Sequence, residues 1–464
     1  MPSTTREDTV IDSFRKRTRA DTLRKQEICL PDSREDTLRT ELRKANYTVR
    51  EKLIRLLSSV TLIFVFALCC RLSFVVNEGR LIPKEVLATV PFENEAGNIA
   101  QALAQGQGFC CLFRQPTGPT AWLTPVYPVI LAGIFKIFGV FTVNSFYAAA
   151  TLNCIFSALA CIPIYYAGKR VGGIFCAAIA AWIWALFPSG IIMPFEWVWD
   201  TSLSALFAAI LLWATFKVTG KFRSREATAY GLLWGFSLLV NPALGAVLPF
   251  FLTWITYRNW RQRTLNPKLL LLIITLVIAV CLPWTIRNAV QFHRLIPLRS
   301  NFPFELWMGN NEIYDLHSRE ITRISRYEQV HLYQQLGETA FLAVKGQKAM
   351  AFIKEHPGLS LRLTGQRVIA TWLGTDSPWR NFSRADSSLA RFIIFWNTVT
   401  VIGALGAMTR LWIARNPFAF PLVMFPIVFP LVYYFTQTSL RLRHPCDPIL
   451  SILLAIVVLP ASKS

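Results

Sequence analysis

Long apolar segments separated by polar stretches dominate the chain after residue 53. Many of these segments approach about 20 residues, the length of an α-helix that crosses a lipid bilayer. One segment differs from the others, because it begins Thr124-Pro125 and carries Lys136 near its middle. The pattern predicts an all-α polytopic membrane protein. The apolar segments lie at roughly 54–76, 124–141, 144–168, 171–192, 201–217, 228–240, 243–257, 269–286, 392–409, 417–435 and 446–460.

The composition supports this class of protein and excludes others. Of the 464 residues, 53% are hydrophobic and 16% are charged, against about 25% charged in ordinary soluble domains. A soluble enzyme, a disordered chain and a small disulfide scaffold are therefore excluded. The net charge of +21 is typical of nucleic-acid binding, but the basic residues lie mostly where membrane topology places them. We therefore predict no nucleic-acid partner.

The distribution of charge predicts the topology. If segment 124–141 lies on the outer surface instead of spanning, most loop Lys and Arg residues fall on the cytoplasmic side, as the positive-inside rule requires. We therefore expect about ten spanning helices in the cell (inner) membrane, with both termini cytoplasmic. The predicted domains are a basic cytoplasmic tail (1–53), which favours contact with anionic membrane lipids, an N-terminal transmembrane module (54–286) with its first outer loop at 77–143, an extracytoplasmic loop region (287–390) and C-terminal transmembrane helices (391–464).

The first outer loop contains the pattern of a short amphipathic helix. Asn94 is a plausible N-cap, Ile99 and Leu103 share a face, and Gly106 is a natural stop. Glu95 then lies in the first turn. It could simply complement the helix dipole, or it could be held at the membrane surface to take a proton from an acceptor hydroxyl or amine.

A second candidate site lies between two apolar helices, where Glu196 and Asp200 flank Trp197 and Trp199. Carboxylates so close to the hydrocarbon boundary are unfavourable unless they are paired or used. The tryptophans could anchor the chain at the interface or stack on a sugar. Asp200 could bind substrate or only cap the next helix.

Several basic and amide side chains are expected on the same outer face. Arg441 and Arg443 alternate with leucines at the outer mouth of the last spanning helix, and arginine is the preferred partner of phosphate oxygens. The alternative is a bidentate pair with an outer-loop carboxylate. Arg287, Arg299 and Asn301 begin the large loop among aromatic residues, which suits a hydroxyl-rich or phosphorylated ligand. The histidines show no spacing typical of a metal site.

Several stretches follow one another along the chain: Glu95-Ala96-Gly97-Asn98-Ile99-Ala100, Gly106-x-Gly108-Phe109, Thr117-Gly118-Pro119-Thr120-Ala121-Trp122, Pro125-Val126-Tyr127-Pro128, Asn241-Pro242, Pro283-Trp284-Thr285-Ile286-Arg287-Asn288 to Asn301, and Arg441-Leu442-Arg443-His444-Pro445. In this order they resemble stretches of the GT-C membrane glycosyltransferases of the family 39 group, which includes protein O-mannosyltransferases and the aminoarabinose transferase that modifies lipid A. The resemblance covers roughly residues 54–460.

The resemblance implies a GT-C-type helical bundle, a polyprenyl-phosphate sugar donor and an extracytoplasmic active site. Its catalytic acids correspond to Glu95, with Glu93 as the near alternative, and to Asp200. Its phosphate-binding arginines correspond to Arg441 and Arg443. The remaining candidate substrate-binding residues are Glu196, Trp199, Arg287, Arg299, Asn301 and His444.

The expected reaction is a single displacement by a hexosyl- or pentosyltransferase, in which a lipid, glycan or protein acceptor attacks the sugar. Because the leaving group is already an anionic phosphate, a divalent metal is optional and no cofactor is predicted. The competing interpretation is a lipid or solute transporter, since the apolar stretch broken at Asn241-Pro242 is typical of paired half-helices. Against it, the spanning segments hold almost no charge besides Arg71. A scaffold subunit would explain the aromatic loops but not the outward arginines.

Overall fold

The computed structural model describes residues 52, 54–113, 115–219, 223–311, 327–374 and 387–459. By internal contacts the chain divides into Met1–Leu57 and Ser58–Ser464, and the following helices belong to the second unit. They are α1 Val60–Leu81, α2 Lys84–Thr89, α3 Glu95–Ala104, α4 Val126–Phe138, α5 Val143–Leu159, α6 Cys161–Ala185, α7 Pro188–Glu196, α8 Thr201–Lys217, α9 Ser224–Val240, α10 Leu248–Arg261, α11 Pro267–Phe292, α12 Phe302–Gly309, α13 Tyr327–Leu336, α14 Glu338–Glu355, α15 Pro357–Leu373, α16 Ser387–Ile413, α17 Ala419–Val428, α18 Leu431–Phe435, α19 Leu440–Arg443 and α20 Asp447–Val458, with 3₁₀ turns at Val90–Phe92, Pro242–Val247 and His444–Cys446.

The helices confirm the predicted all-α membrane class. Within the described ranges, four helical stretches are long and apolar enough to cross a membrane: Val60–Leu81, Val143–Glu196, Pro267–Phe292 and Phe392–Ile413. Shorter apolar helices lie at Val126–Phe138, Thr201–Lys217 and Ala419–Phe435. The total of ten spans stays a prediction.

The segment predicted to lie on the outer surface forms a short helix. α4 has 13 residues, about 20 Å at 1.5 Å per residue, whereas the hydrocarbon core of a bilayer is about 30 Å thick. Its length therefore agrees with a helix that does not span. Thr124, just before it, donates to the carbonyl of Val240 at 3.0 Å, which joins this helix to the end of α9.

Two interruptions divide the apolar region 143–196 differently from the sequence prediction. The predicted segment 144–168 is broken at Ala160, between α5 and α6, where Pro163 removes an amide donor from the first turn of α6. α6 then runs through the predicted boundary at 169–170 and kinks at Gly172 and Gly173. Gly173 has φ +79°, a conformation that favours glycine.

Arg71 joins the first helix to its neighbours inside the bundle. Its side chain is fully buried in α1 and donates to Ser157 Oγ at 2.8 Å and to the carbonyls of Trp184 and Ala185 at 3.1 Å. These acceptors lie on α5 and α6, so one guanidinium group ties three helices together. The Arg71 side chain therefore faces the interior of the bundle.

A buried carboxylate attaches the start of α14 to the segment between α3 and α4. Glu338, the first residue of α14, accepts hydrogen bonds from Thr120 Oγ1 at 2.5 Å and from the amide of Ala121 at 2.9 Å. It also accepts from Ser300 Oγ at 2.7 Å and from Tyr333 OH at 2.8 Å. Because Thr120 and Ala121 precede Trp122, and Ser300 follows Arg299, the contact fixes two segments that border the candidate site.

Candidate functional site

A cavity of about 510 Å³ collects charged residues that are far apart in the sequence. Three carboxylates, Glu95, Asp200 and Glu305, and two arginines, Arg299 and Arg441, line it. They come from the start of α3, the start of α8, the region around the start of α12, and α19. The other lining residues are Trp122, Leu123, Trp199, Thr201, Ser204, Asn241, Pro242, Ala243, Ala246, Pro297, Leu298, Asn301, Phe302, Val432, Tyr433, Thr436, Gln437, Leu442 and Pro445.

The cap predicted for α3 places Glu95 at this cavity. Asn94 Oδ1 accepts from the amide of Gly97 at 2.9 Å, and Glu95 lies half-buried in the first turn. Gly97 allows the turn to pack closely, because a Cβ there would lie 2.1 Å from the carbonyl oxygen of Phe92. Glu93 precedes the cap, is exposed and does not line the cavity. Of the two carboxylates considered in this segment, Glu95 is therefore the one that lines the cavity.

Asp200 precedes α8 but does not cap it. Its side chain makes no capping hydrogen bond to the backbone and accepts instead from Ser204 Oγ at 3.1 Å. Asn241 Nδ2 in turn donates to that hydroxyl at 3.2 Å. Burial raises the pKa of the Asp200 carboxyl, while Arg299 and Arg441 oppose this shift. The side chain is thus left to face the cavity between two positive charges.

Two tryptophans in the segment between α7 and α8 hold Arg441. Its guanidinium carbon lies 4.1 Å from the ring centroid of Trp197 and 4.7 Å from that of Trp199, within the range of a cation–π contact. This role was not predicted from the sequence, which suggested interface anchors or a sugar-stacking wall. Arg299 is held by a hydrogen bond from its Nε to the carbonyl of Trp122 at 3.1 Å. Both arginines are therefore fixed in place while lining the cavity.

Glu305 lines the cavity although sequence reasoning did not select it as a site residue. Asn301 Nδ2 donates to its Oε1 at 2.8 Å, and Gln437 Nε2 donates to its Oε2. Burial raises the pKa of the Glu305 carboxyl, Arg299 opposes the shift and Glu95 adds to it. A signal was present, because Pro303 favours a helix start and Asn301 and Glu305 are then one turn apart.

Arg443 and His444 are not placed at the large cavity. Arg443 is buried, forms an ion pair with Asp447 at 3.1 Å and donates to the carbonyl of Trp372 at 2.8 Å. His444 Nδ1 lies 3.1 Å from both Ser189 Oγ and Asp447 Oδ2. This is the carboxylate-paired alternative considered for Arg443, except that the partner belongs to the following helix and not to an outer loop.

Arg287 and Glu196 also lie away from the large cavity. Arg287 donates from Nη1 to the carbonyl of Thr120 and from Nη2 to that of Phe109, both at 2.7 Å, and so holds the segment between α3 and α4. Glu196 borders a separate cavity of about 40 Å³, to which Arg441 also contributes. Of the predicted site residues, the structure brings together Glu95, Asp200, Trp199, Arg299, Asn301 and Arg441.

The chemistry of the large cavity follows from its charges. Two fixed guanidinium groups are suited to bind the oxygens of a phosphate. Carboxylates whose pKa is raised, as for Asp200 and Glu305, are better proton acceptors than ordinary surface carboxylates. Apolar side chains such as Leu298, Val432 and Leu442 complete the wall. The site can therefore accommodate a ligand with a phosphate and an apolar part next to a group able to take a proton.

No model of a known protein family matches the chain, and no curated protein is similar to it in sequence. Among solved structures, it is similar to the apo oligosaccharyltransferase of Archaeoglobus fulgidus, with 15% identity and a TM-score of 0.48 over 86% of this chain and 50% of that one. The complex of that protein with Zn and sulfate is 13% identical, with a TM-score of 0.46 over 85% of this chain and 48% of that one. ArnT from Cupriavidus metallidurans bound to undecaprenyl phosphate is 12% identical, with a TM-score of 0.35 over 80% of this chain and 76% of that one.

The chain thus spans about half the length of the archaeal oligosaccharyltransferase chains that it matches. All of these TM-scores lie below 0.5, and the proposed function therefore rests on the residues of the site.

Proposed function

We propose that the protein is an integral membrane glycosyltransferase that moves a sugar from a polyprenyl-phosphate donor to an extracytoplasmic acceptor. The observation that carries this proposal is the cavity in which Arg299 and Arg441 face Glu95 and Asp200. Phosphate recognition and proton abstraction are thereby combined in one space. The predicted topology puts this space on the outer side of the cell (inner) membrane, with both termini cytoplasmic.

The arginines act on the donor. Arg441, held between Trp197 and Trp199, and Arg299, held by Trp122, bind the lipid phosphate through charge-assisted hydrogen bonds. As the bond between the anomeric carbon and the phosphate oxygen breaks, its electron pair stays on that oxygen. Positive groups fixed beforehand stabilise the added negative charge without reorganising. The apolar wall receives the first isoprene units of the carrier.

The carboxylates act on the acceptor. Glu95 takes the proton of an acceptor hydroxyl or amine, whose oxygen or nitrogen attacks the anomeric carbon. One bond forms there as the phosphate bond breaks, so a single displacement gives inversion, in line with the family resemblance. Asp200, between the two arginines, orients the sugar. The sugar is a hexose or a pentose and the acceptor is a lipid, a glycan or a protein; the reaction requires no cofactor.

A transporter is the second candidate function, and one observation favours it. The break between α9 and α10 at Asn241 and Pro242 borders the large cavity, as in carriers whose substrate site lies between interrupted helices. A transporter would move its substrate across the bilayer unchanged, whereas a transferase consumes the donor. The same purified protein can be tested for both.

The decisive experiment compares wild type with Glu95→Gln in lipid vesicles that contain radiolabelled polyprenyl-phosphate hexoses and pentoses, with cell-envelope extract as acceptor. We expect wild type to consume one donor class and Glu95→Gln to lose at least about 100-fold in rate, the contribution typical of a general base. Donor binding should survive in the variant, because Arg299 and Arg441 are unchanged.

Glu85→Gln is the matched control, since Glu85 is an exposed carboxylate in the same outer loop and does not line the cavity. Its rate should equal that of wild type. Glu93→Gln then separates the two first-loop candidates, and a loss confined to Glu93→Gln would transfer the role of base to that residue. If wild type consumes no donor but moves labelled lipid across the bilayer, the transporter is the better description.

A further inference from the structure

A second large concave surface lies outside the candidate site. It is a groove of about 570 Å³ formed by the last turns of α10, the end of α16 and the segment that leads into α17. None of its lining residues contributes to the cavity described above. The lining residues are Thr253, Trp254, Tyr257, Arg258, Leu411, Trp412, Arg415, Asn416, Pro417, Ala419 and Phe420.

The groove combines positive charge with exposed aromatic rings. Arg258 and Arg415 are its charged residues, and no Asp or Glu occurs among the described residues that line it. Tyr257 is 55% exposed and Trp412 is 68% exposed, a combination typical of the boundary between hydrocarbon and headgroups. The groove is therefore complementary to a ligand with a negative head and an apolar body.

The two arginines are presented by defined local structure. The guanidinium carbon of Arg258 lies 5.6 Å from the ring centroid of Trp254 and 5.7 Å from that of Phe418. Its Nε is buried and makes no hydrogen bond within the described part of the chain. Arg415 has φ +48°, in the left-handed turn that ends α16, and is exposed. Arg415 therefore presents its donors at the surface, and Arg258, which lines the groove, has a donor without a partner among the described residues.

We propose that this groove binds an anionic phospholipid. The lipid phosphate accepts hydrogen bonds from Arg258 and Arg415, and an acyl chain lies against Leu411, Trp412 and Phe420. The groove adjoins the end of the apolar stretch Phe392–Ile413, at the depth where lipid headgroups lie. The charge-based topology puts this end in the cytoplasmic leaflet, where anionic lipids are concentrated. This proposal is independent of the reaction at the large cavity.

Native mass spectrometry of the purified full chain can measure the binding. The probes are phosphatidylglycerol and the zwitterionic phosphatidylcholine, titrated separately. We expect wild type to retain phosphatidylglycerol more tightly, and each of Arg258→Gln and Arg415→Gln to weaken that binding by about fivefold. Phosphatidylcholine binding should hardly change, and excess inorganic phosphate should not displace the lipid.

Arg261→Gln is the matched control, because Arg261 is an exposed arginine on the last turn of the same helix and does not line the groove. It should bind phosphatidylglycerol as wild type does. Equal loss in Arg261→Gln would show diffuse surface attraction, and equal retention of both lipids by wild type would show apolar contact alone; either result overturns the proposal. If Arg258→Gln fails to fold, the exposed Arg415→Gln decides the question alone.

Discussion

At the scale of a single residue, the burial of the Asp200 carboxyl group makes the stability of the fold depend on pH. Burial raises the pKa of its carboxyl despite the nearby charges of Arg299 and Arg441. Between the ordinary carboxyl pKa and the raised one, the folded protein therefore binds more protons than the unfolded chain. The free energy of unfolding falls as the pH rises through this window. Above this window the folded protein has lost the stability that the protonated carboxyl group contributes below it.

Asp200→Asn should therefore separate stability from function. Since the amide carries no charge and can still accept from Ser204, we expect the unfolding temperature at pH 7 to rise by roughly 1–3 °C, while sugar transfer decreases. Unfolding scans at pH 7 and at a pH below the ordinary carboxyl pKa measure the difference, which should vanish at the lower pH. A variant less stable than wild type at pH 7 would contradict the expected direction of the change.

The sequence could predict where a site residue lies in a helix when a local signal was present, but it could not predict the direction in which the side chain points. Asn94 and Gly106 define α3, so Glu95 was correctly placed in its first turn. Arg441 and Arg443 were expected to act together because both alternate with leucine. In the structure they belong to α19, and residues two apart on a helix do not share a face. Arg441 therefore lines the large cavity, whereas Arg443 is buried against Asp447.

At the scale of elements, the start of α14 fixes the segment between α3 and α4 and the segment that precedes α12. Glu338 Oε1 accepts from the amide of Ala121 and from Ser300, and Oε2 accepts from the hydroxyls of Thr120 and Tyr333. Glu338→Ala leaves these buried donors unpaired and should reduce the free energy of unfolding by about 2–3 kcal/mol. Glu338→Gln should lose less, because both hydroxyls can rotate to accept from the new amide.

Thermal unfolding, and limited proteolysis of the segments that Glu338 holds, can test whether Glu338→Ala loses more stability than Glu338→Gln. Glu355→Gln is the control, since Glu355 is exposed at the other end of α14; its unfolding temperature and cleavage pattern should match wild type. A Glu338→Ala protein as stable and as protease-resistant as wild type would show that the loops are fixed by other contacts. The sequence could not reveal the link to Thr120 and Ala121, because these residues lie more than 200 positions from Glu338.

At the scale of the whole molecule, apolar length predicted the class and the approximate helix positions, but not how distant helices are joined. Arg443 pairs with Asp447 and also donates to the carbonyl of Trp372 at the end of α15 and to Asn397 in α16 at 2.9 Å. Ser189 in α7 donates to the other oxygen of Asp447 at 2.5 Å. One buried pair therefore joins the last helix to three others, and no periodicity along the chain encodes that.

Breaking this pair should destabilise the whole bundle. Arg443→Met leaves Asp447 charged and buried without its cationic partner, which should reduce the free energy of unfolding by about 3–5 kcal/mol. The double variant Arg443→Met, Asp447→Asn removes both charges and should recover most of this loss, because Ser189 and His444 can still bond to the amide. The yield of folded protein in detergent and the unfolding temperature, taken for the single variants and the double variant, measure the coupling between Arg443 and Asp447. A double variant as unstable as the sum of its single changes would show that the residues act separately, and the two charges would then not be what joins these helices.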